Sequence, residues 1–252
     1  MIGAPDFRLD GKRALVTGAG RGIGRAIAEA YAASGAEVTL LARTGAEIEE
    51  VAADLRAAGF SASAIAADIT DVAGFEALVS DQPAFDILVN NAGTNRPKPL
   101  SDVTEDDYDA VMGLNLRSTV FATRAVTARM ISEGKAGSVI NMSSQMGHVG
   151  AANRTLYCAS KWALEGFTKA LSVELGPHRI RVNTICPTFV ETPLTKPFFE
   201  DESFRASVLN KIKLGRIGQV EDITGAAVYL ASDASSLMTG SAVMLDGGWT
   251  AD

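Results

Sequence analysis

The sequence predicts an α/β fold, a doubly wound parallel sheet covered by helices on both faces and built as one domain. Two observations predict it. Short aliphatic, β-prone runs alternate with longer helical stretches across short turns, which is the order of strand–helix–strand units. The first such run leads straight into a glycine-rich turn, residues 17–24 (TGAGRGIG), and then a helical segment. No linker, repeat or low-complexity tract divides the 252 residues, so a single domain over 1–252 is expected.

The elements follow in order. Residues 12–17 (KRALVT) form the first strand and 22–34 the helix after the glycine turn. Residues 37–42 (EVTLLA) and 47–58 supply the next strand and helix. Strands are expected at 63–67, 86–89 and 138–142, and long helical segments at 105–132 and 156–175. Runs at 181–185 and 242–245 bring the total to about seven strands. The stretch 192–216, with Pro193, Pro197 and the pair Phe198-Phe199, interrupts the alternation and is the candidate substrate lid.

Composition narrows the function classes. A formal charge of −7 argues against a nucleic-acid surface, which needs clustered excess Lys and Arg. No apolar stretch approaches the ~20 residues that span a bilayer. The first ten residues carry Asp6 and Asp10 and lack the apolar core of a signal peptide. Two cysteines, Cys158 and Cys186, are too few for a disulfide framework, so a reduced, cytoplasmic setting is expected. With His148 and His178 they show no metal-ligand spacing, and no metal is expected.

The glycine turn sits where a dinucleotide diphosphate would bind. Gly18 permits the tight turn, Gly22 lets the backbone approach the pyrophosphate, and Gly24 lets helix and strand pack closely. The helix N-terminus adds free N–H groups and the positive end of its dipole. A carboxylate at the end of the second strand would bond the 2′-hydroxyl of NAD, but Ala42-Arg43-Thr44 has none. Arg43 and Arg21 can instead form a fork around a 2′-phosphate, which makes NADP the expected cofactor and NAD the alternative. The other reading of both arginines is solvated surface charge. Asp68, after the third strand, can accept from an adenine amino group or serve as a turn cap. Asn90-Asn91-Ala92-Gly93 ends the fourth strand in small residues that leave room for a cofactor.

Tyr157 and Lys161 stand four apart and so share one face of a helix. A neighbouring ammonium favours the phenolate and suits the tyrosine to proton transfer. Ser144 and Tyr157 hydroxyls can both donate to an oxygen that gains charge as a carbonyl accepts hydride.

Taken together, TGAGRGIG at 17–24, NNAG at 90–93, Asn115, Ser144, YCASK at 157–161 and RVNTICP at 181–187 resemble the classical short-chain dehydrogenases/reductases over essentially the whole chain. The resemblance implies a seven-stranded Rossmann-type sheet, dimers or tetramers, and NAD(P)-linked interconversion of secondary alcohol and ketone. It implies a cofactor part at about 10–135 and a catalytic and substrate part at about 136–252. It casts Tyr157 as acid/base, Ser144 as the residue that orients the substrate oxygen, and Lys161 as ligand of the nicotinamide ribose. Asn115 would hold a water connecting Lys161 to solvent. Ser144 is chosen over its neighbour Ser143 by its separation from Tyr157. The same resemblance brings Ile23, Ile69, Asn91, Ala92, Gly93, Pro187, Val190 and Thr192 to the cofactor. Pro187-Thr188 departs from the Pro-Gly of many members; a β-branched Thr disfavours positive φ, so the loop over the nicotinamide is expected to run slightly differently.

Asn95, Gln145, His148, Asn153 and Arg154 are the candidate substrate residues. They are polar, which suits a small sugar, sugar acid or polyol. A 3-oxoacyl-carrier-protein reductase-like ketone reductase and a nucleotide-sensing protein without chemistry are the alternatives.

Overall fold

The computed structural model describes residues 3 and 5–251. Seven strands, β1 (Arg13–Thr17), β2 (Glu37–Ala42), β3 (Ala62–Ala66), β4 (Ile87–Asn90), β5 (Gly137–Met142), β6 (Ile180–Pro187) and β7 (Ala242–Leu245), form one sheet. Their order is β3-β2-β1-β4-β5-β6-β7, and every pair is parallel. The chain winds outward from β1 to β3 and then returns to β4 beside β1. Loops leaving the ends of β1 and β4 therefore diverge and open a crevice there.

Alternation along β1 shows how the strands build two cores. Val16 packs in a cluster with Ile27, Tyr31, Val38 and Leu40, while Leu15 faces a second cluster with Phe75, Phe85, Leu88 and Met130. Among the described residues eight α-helices cover these faces: α1 (Gly22–Ala33), α2 (Gly45–Ala57), α3 (Val72–Ser80), α4 (Glu105–Met112), α5 (Ser118–Ser132), α6 (Thr155–Leu175), α7 (Glu202–Leu209) and α8 (Glu221–Ala231). The Tyr31 hydroxyl donates to the Ala227 carbonyl at 3.1 Å and ties α1 to α8.

The single helix expected over 105–132 is divided. A π-helical turn, Gly113–Arg117, separates α4 from α5 and carries Asn115, only 1% exposed, inward. Such wide turns re-aim a side chain that a regular helix would place elsewhere. At the far end of the strands, Asn90 Nδ2 donates to Asn141 Oδ1 (2.8 Å) and Thr123 Oγ1 (2.9 Å). Asn141 Nδ2 donates to Thr168 Oγ1 at 2.9 Å. This buried chain fixes β4, β5, α5 and α6 against one another beneath the crevice.

Candidate active site

A continuous cleft of about 1310 Å³ runs along the carboxyl ends of the strands. All the expected cofactor residues line it except Gly24, which lies behind the loop. Gly18 (φ 64°) and Gly22 (φ 56°) take the left-handed backbone region that glycine alone enters freely. A Cβ at Gly24 would lie 2.3 Å from the Gly18 carbonyl oxygen and 2.4 Å from Asn91 Nδ2, so helix α1 packs there only because the side chain is absent. Thr17 and Asn91 lock the turn: Asn91 and Ala92 N–H groups donate to Thr17 Oγ1, and Asn91 Nδ2 donates to the Thr17 and Gly18 carbonyls. No side chain caps α1 and its first turn holds no acid, leaving its N-terminus open to an anion. Gly24→Ala is accordingly expected to lower stability by roughly 1–3 kcal/mol and to weaken nucleotide binding, read by chemical denaturation and by cofactor fluorescence.

Arg21 and Arg43 both face this end of the cleft, and neither guanidinium forms a hydrogen bond or ion pair with a described residue. Asp68 lines the cleft too, but its Oδ1 accepts from the Thr70 amide (2.9 Å) and hydroxyl (2.7 Å). These bonds hold its carboxyl below the usual range. It thus caps a turn as well as facing the nucleotide end.

At the other end, Ser144, Tyr157 and Lys161 converge. Lys161 is 6% exposed, its Nζ donates to the Met142 carbonyl at 2.7 Å, and burial lowers its pKa to about 8. Its ammonium lies 5.5 Å from the Tyr157 ring centroid. Burial raises the Tyr157 pKa, and the Ser144 hydroxyl and Arg154 charge oppose that rise. The expected depression by Lys161 is not what the geometry shows: the ammonium is turned toward Met142, and desolvation of the phenolate wins. Ser144 Oγ donates to Gln145 Oε1 at 2.7 Å and accepts from the Met146 amide at 3.1 Å.

Comparison with known proteins places this arrangement. The enoyl-(acyl carrier protein) reductase family model matches residues 18–250. L-xylulose reductase of Bos taurus is 39% identical over 246 residues, 98% of this chain and 99% of that protein. D-threitol dehydrogenase of Mycolicibacterium smegmatis is 40% identical over 250 residues, 97% of this chain and 95% of its own. A gluconate 5-dehydrogenase from Burkholderia cenocepacia, solved in complex with NADP and tartrate, superposes with a TM-score of 0.95 at 34% identity over 98% of both chains. The chain belongs to the classical short-chain dehydrogenases/reductases. It is an NAD(P)-dependent oxidoreductase of the CH–OH/C=O couple.

Within this dehydrogenase/reductase some expected site residues move out of the cleft. Both Asn115 amide hydrogens are committed, to the Thr94 carbonyl (2.9 Å) and Ser160 Oγ (3.0 Å), and its Oδ1 accepts from the Thr94 amide (2.8 Å). Its side chain latches the loop after β4 to α6. His148 lies outside the cleft, against Glu165 and Cys186. Asn153 is exposed at φ 60°, where its carbonyl accepts from Lys98. It shapes a turn and does not face the cleft. Thr188 avoids positive φ and leaves its buried hydroxyl unpaired beside the cleft.

Asn95, Gln145 and Arg154 do line the cleft. Gln145 Nε2 is buried with no hydrogen-bond partner among the described residues. Arg154 is buried with its guanidinium 5.5–5.8 Å from the Phe189, Phe198 and Phe204 ring centroids, and burial lowers its pKa. No acidic group pairs with it among the described residues. Phe189, which also packs edge-on against Phe199 and tilted against Trp249, escaped the sequence reading because this aromatic cluster assembles from three separated segments.

Proposed function

We propose that this enzyme uses NADP to interconvert a secondary alcohol and a ketone on a small polyhydroxylated acid of the sugar-acid class. The observation that carries the reading is the shared cleft: Tyr157 and Ser144 hydroxyls stand beside a buried, unpaired Arg154, at the opposite end from two unpaired arginines and the glycine turn. A buried guanidinium without a carboxylate is costly unless a ligand supplies the anion. The rings of Phe189, Phe198 and Phe204 surround the guanidinium at 5.5–5.8 Å without accepting its hydrogen bonds, so its N–H groups would serve a substrate carboxylate. Gln145 Nε2 offers a further donor to a hydroxyl. The relatives' names, a xylulose reductase, a threitol dehydrogenase and a gluconate dehydrogenase, support a sugar-like substrate.

The turn at Gly18–Gly24 and the open end of α1 would hold the diphosphate, Arg21 and Arg43 the 2′-phosphate, and Lys161 the nicotinamide ribose. When bound, the nicotinamide supplies or accepts the hydride. Ser144 Oγ orients the substrate oxygen, and Tyr157 donates a proton to it in reduction and removes one in oxidation. Asn115 keeps the Thr94 loop in place beside Lys161. The segment 192–216 closes over the substrate, with Phe198 on its inner surface. Family membership also supports a homodimer or homotetramer, with exposed Trp162 and Val173 on α6 in the packed face. The two unpaired cysteines support a cytoplasmic location.

The test is a panel of ketoses, keto-aldonates and 3-oxoacyl thioesters, followed by NADPH absorbance. Keto-aldonates should turn over fastest, and Arg154→Met should remove that preference; preference for oxoacyl thioesters would refute the reading. Arg43→Ala should raise the Kd of NADPH about 10- to 100-fold, the worth of a charge-assisted bond or two. NADH binding should hardly change. Equal loss for both cofactors would refute the phosphate fork.

A further inference from the structure

Behind the wall that carries Ser144 and Lys161, three side chains from separate elements meet: His148 from the turn after β5, Glu165 from α6 and Cys186 from β6. Cys186 Sγ lies 3.3 Å from Glu165 Oε1 and 3.5 Å from His148 Nε2, and His148 Nε2 lies 3.6 Å from Glu165 Oε1. Bond lengths of 2.0–2.3 Å at tetrahedral angles put the donor atoms of a zinc ion about 3.3–3.6 Å apart. The observed triangle therefore has the dimensions of one face of a zinc tetrahedron. We propose that His148, Glu165 and Cys186 form a binding site for zinc or a similar borderline divalent cation, distinct from the catalytic cleft.

Two further observations point the same way. Glu165 is buried, 7% exposed, and no lysine or arginine pairs with it among the described residues. Among the described residues its oxygens take hydrogen bonds only from the Thr184 hydroxyl at 3.0 Å and the Cys186 thiol, and the Lys161 ammonium acts on them from beyond ion-pair distance. The Ser143 hydroxyl is buried and faces the Cys186 sulfur, and it hydrogen-bonds no oxygen or nitrogen among the described residues. It borders the cluster through Gly147, whose Cβ position would lie 2.9 Å from Ser143 Oγ and 3.2 Å from Glu165 Cγ. Ser143, or a water it holds, completes the fourth position.

On binding, the Cys186 S–H bond breaks, its proton leaves to solvent and the sulfur bonds the cation; no group changes oxidation state. Half-exposed His148 is the entry side. Because Ser143 adjoins Ser144 and Glu165 lies one turn beyond Lys161, the bound ion braces the wall behind the chemistry.

Cobalt(II) added to the chelator-stripped full-length enzyme is the probe. Thiolate-to-cobalt charge transfer and intense four-coordinate visible bands should appear, saturate at one equivalent and vanish on adding zinc. Cys158→Ser should retain them, Cys186→Ser should abolish the charge-transfer band, and His148→Gln should weaken binding. Melting of each metal-free variant establishes that it is folded. Absence of the band in wild type, its survival in Cys186→Ser, or unchanged affinity in folded His148→Gln would overturn the proposal.

Discussion

Replacing Tyr157 by Phe should lower kcat for ketone reduction by about 10²–10⁴-fold, the usual worth of a positioned general acid, and leave NADPH affinity intact. The hydroxyl interacts with the Ser144 hydroxyl in the cleft, and its removal leaves the Ser144 hydroxyl without its partner in stabilising the developing oxyanion. The loss should fall on kcat, since the ring that lines the cofactor channel remains. The direction of the Tyr157 shift adds a pH signature. Burial raises its pKa, so the phenol persists through neutral pH and reduction needs no prior protonation. Oxidation needs the phenolate, and its rate should climb with pH where the reductive rate falls. Single-turnover absorbance of bound NADPH separates chemistry from binding. A variant within a few-fold of wild type would remove Tyr157 from the proton's path.

Replacing Lys161 by Met should abolish most turnover yet leave the cofactor-free protein at least as stable at pH 7. Burial lowers the lysine from 10.5 to about 8. At 1.36 kcal/mol per unit that is a penalty of about 3 kcal/mol carried by the folded state while the unfolded chain is protonated. Loss of the Nζ bond to the Met142 carbonyl takes back about 1–3 kcal/mol, so the net gain is between about zero and 2 kcal/mol. The sign with pH follows. Below about 8 both states are protonated and the penalty is full; between about 8 and 10.5 the folded state sheds its proton first, so wild-type stability rises. The variant lacks that rise. Urea denaturation of both proteins at neutral and alkaline pH measures the difference. Clear destabilisation of the variant at pH 7, where the balance of these two effects predicts none, would contradict a strained, function-driven lysine.

Local chemistry made much of this site legible. The glycine turn could be read because positive φ at Gly18 and Gly22 is a backbone demand that the residue type itself declares. Tyr157 and Lys161 could be read because i and i+4 share a helical face, and the strands because aliphatic runs are short and bounded by turns. Tertiary packing hid the rest. Helix α3 is nine residues with an internal Gly74, and α8 mixes Gly225 with β-branched Ile223 and Thr224, so neither announces itself by propensity. The π-turn at Gly113–Arg117 leaves no periodicity signal, and so the commitment of the Asn115 amide to Thr94 and Ser160 was not visible. His148 and Asn153 looked like pocket residues from their place between Ser144 and Tyr157. The turn after β5 sends one behind the wall and the other to the surface. Arg154 was visible as a charge, but its isolation in an aromatic cage depends on Phe198 and Phe204, more than forty residues away.

Hydride transfer in this one cleft is the central claim, and isotope tracing tests it most directly. NADPH carrying deuterium at the nicotinamide C4, incubated with a keto-aldonate, should place deuterium on the new carbinol carbon of the product. The Tyr157→Phe variant should do so far more slowly with the same placement. Product formed without deuterium at that carbon, or at equal rate in the variant, would contradict the account.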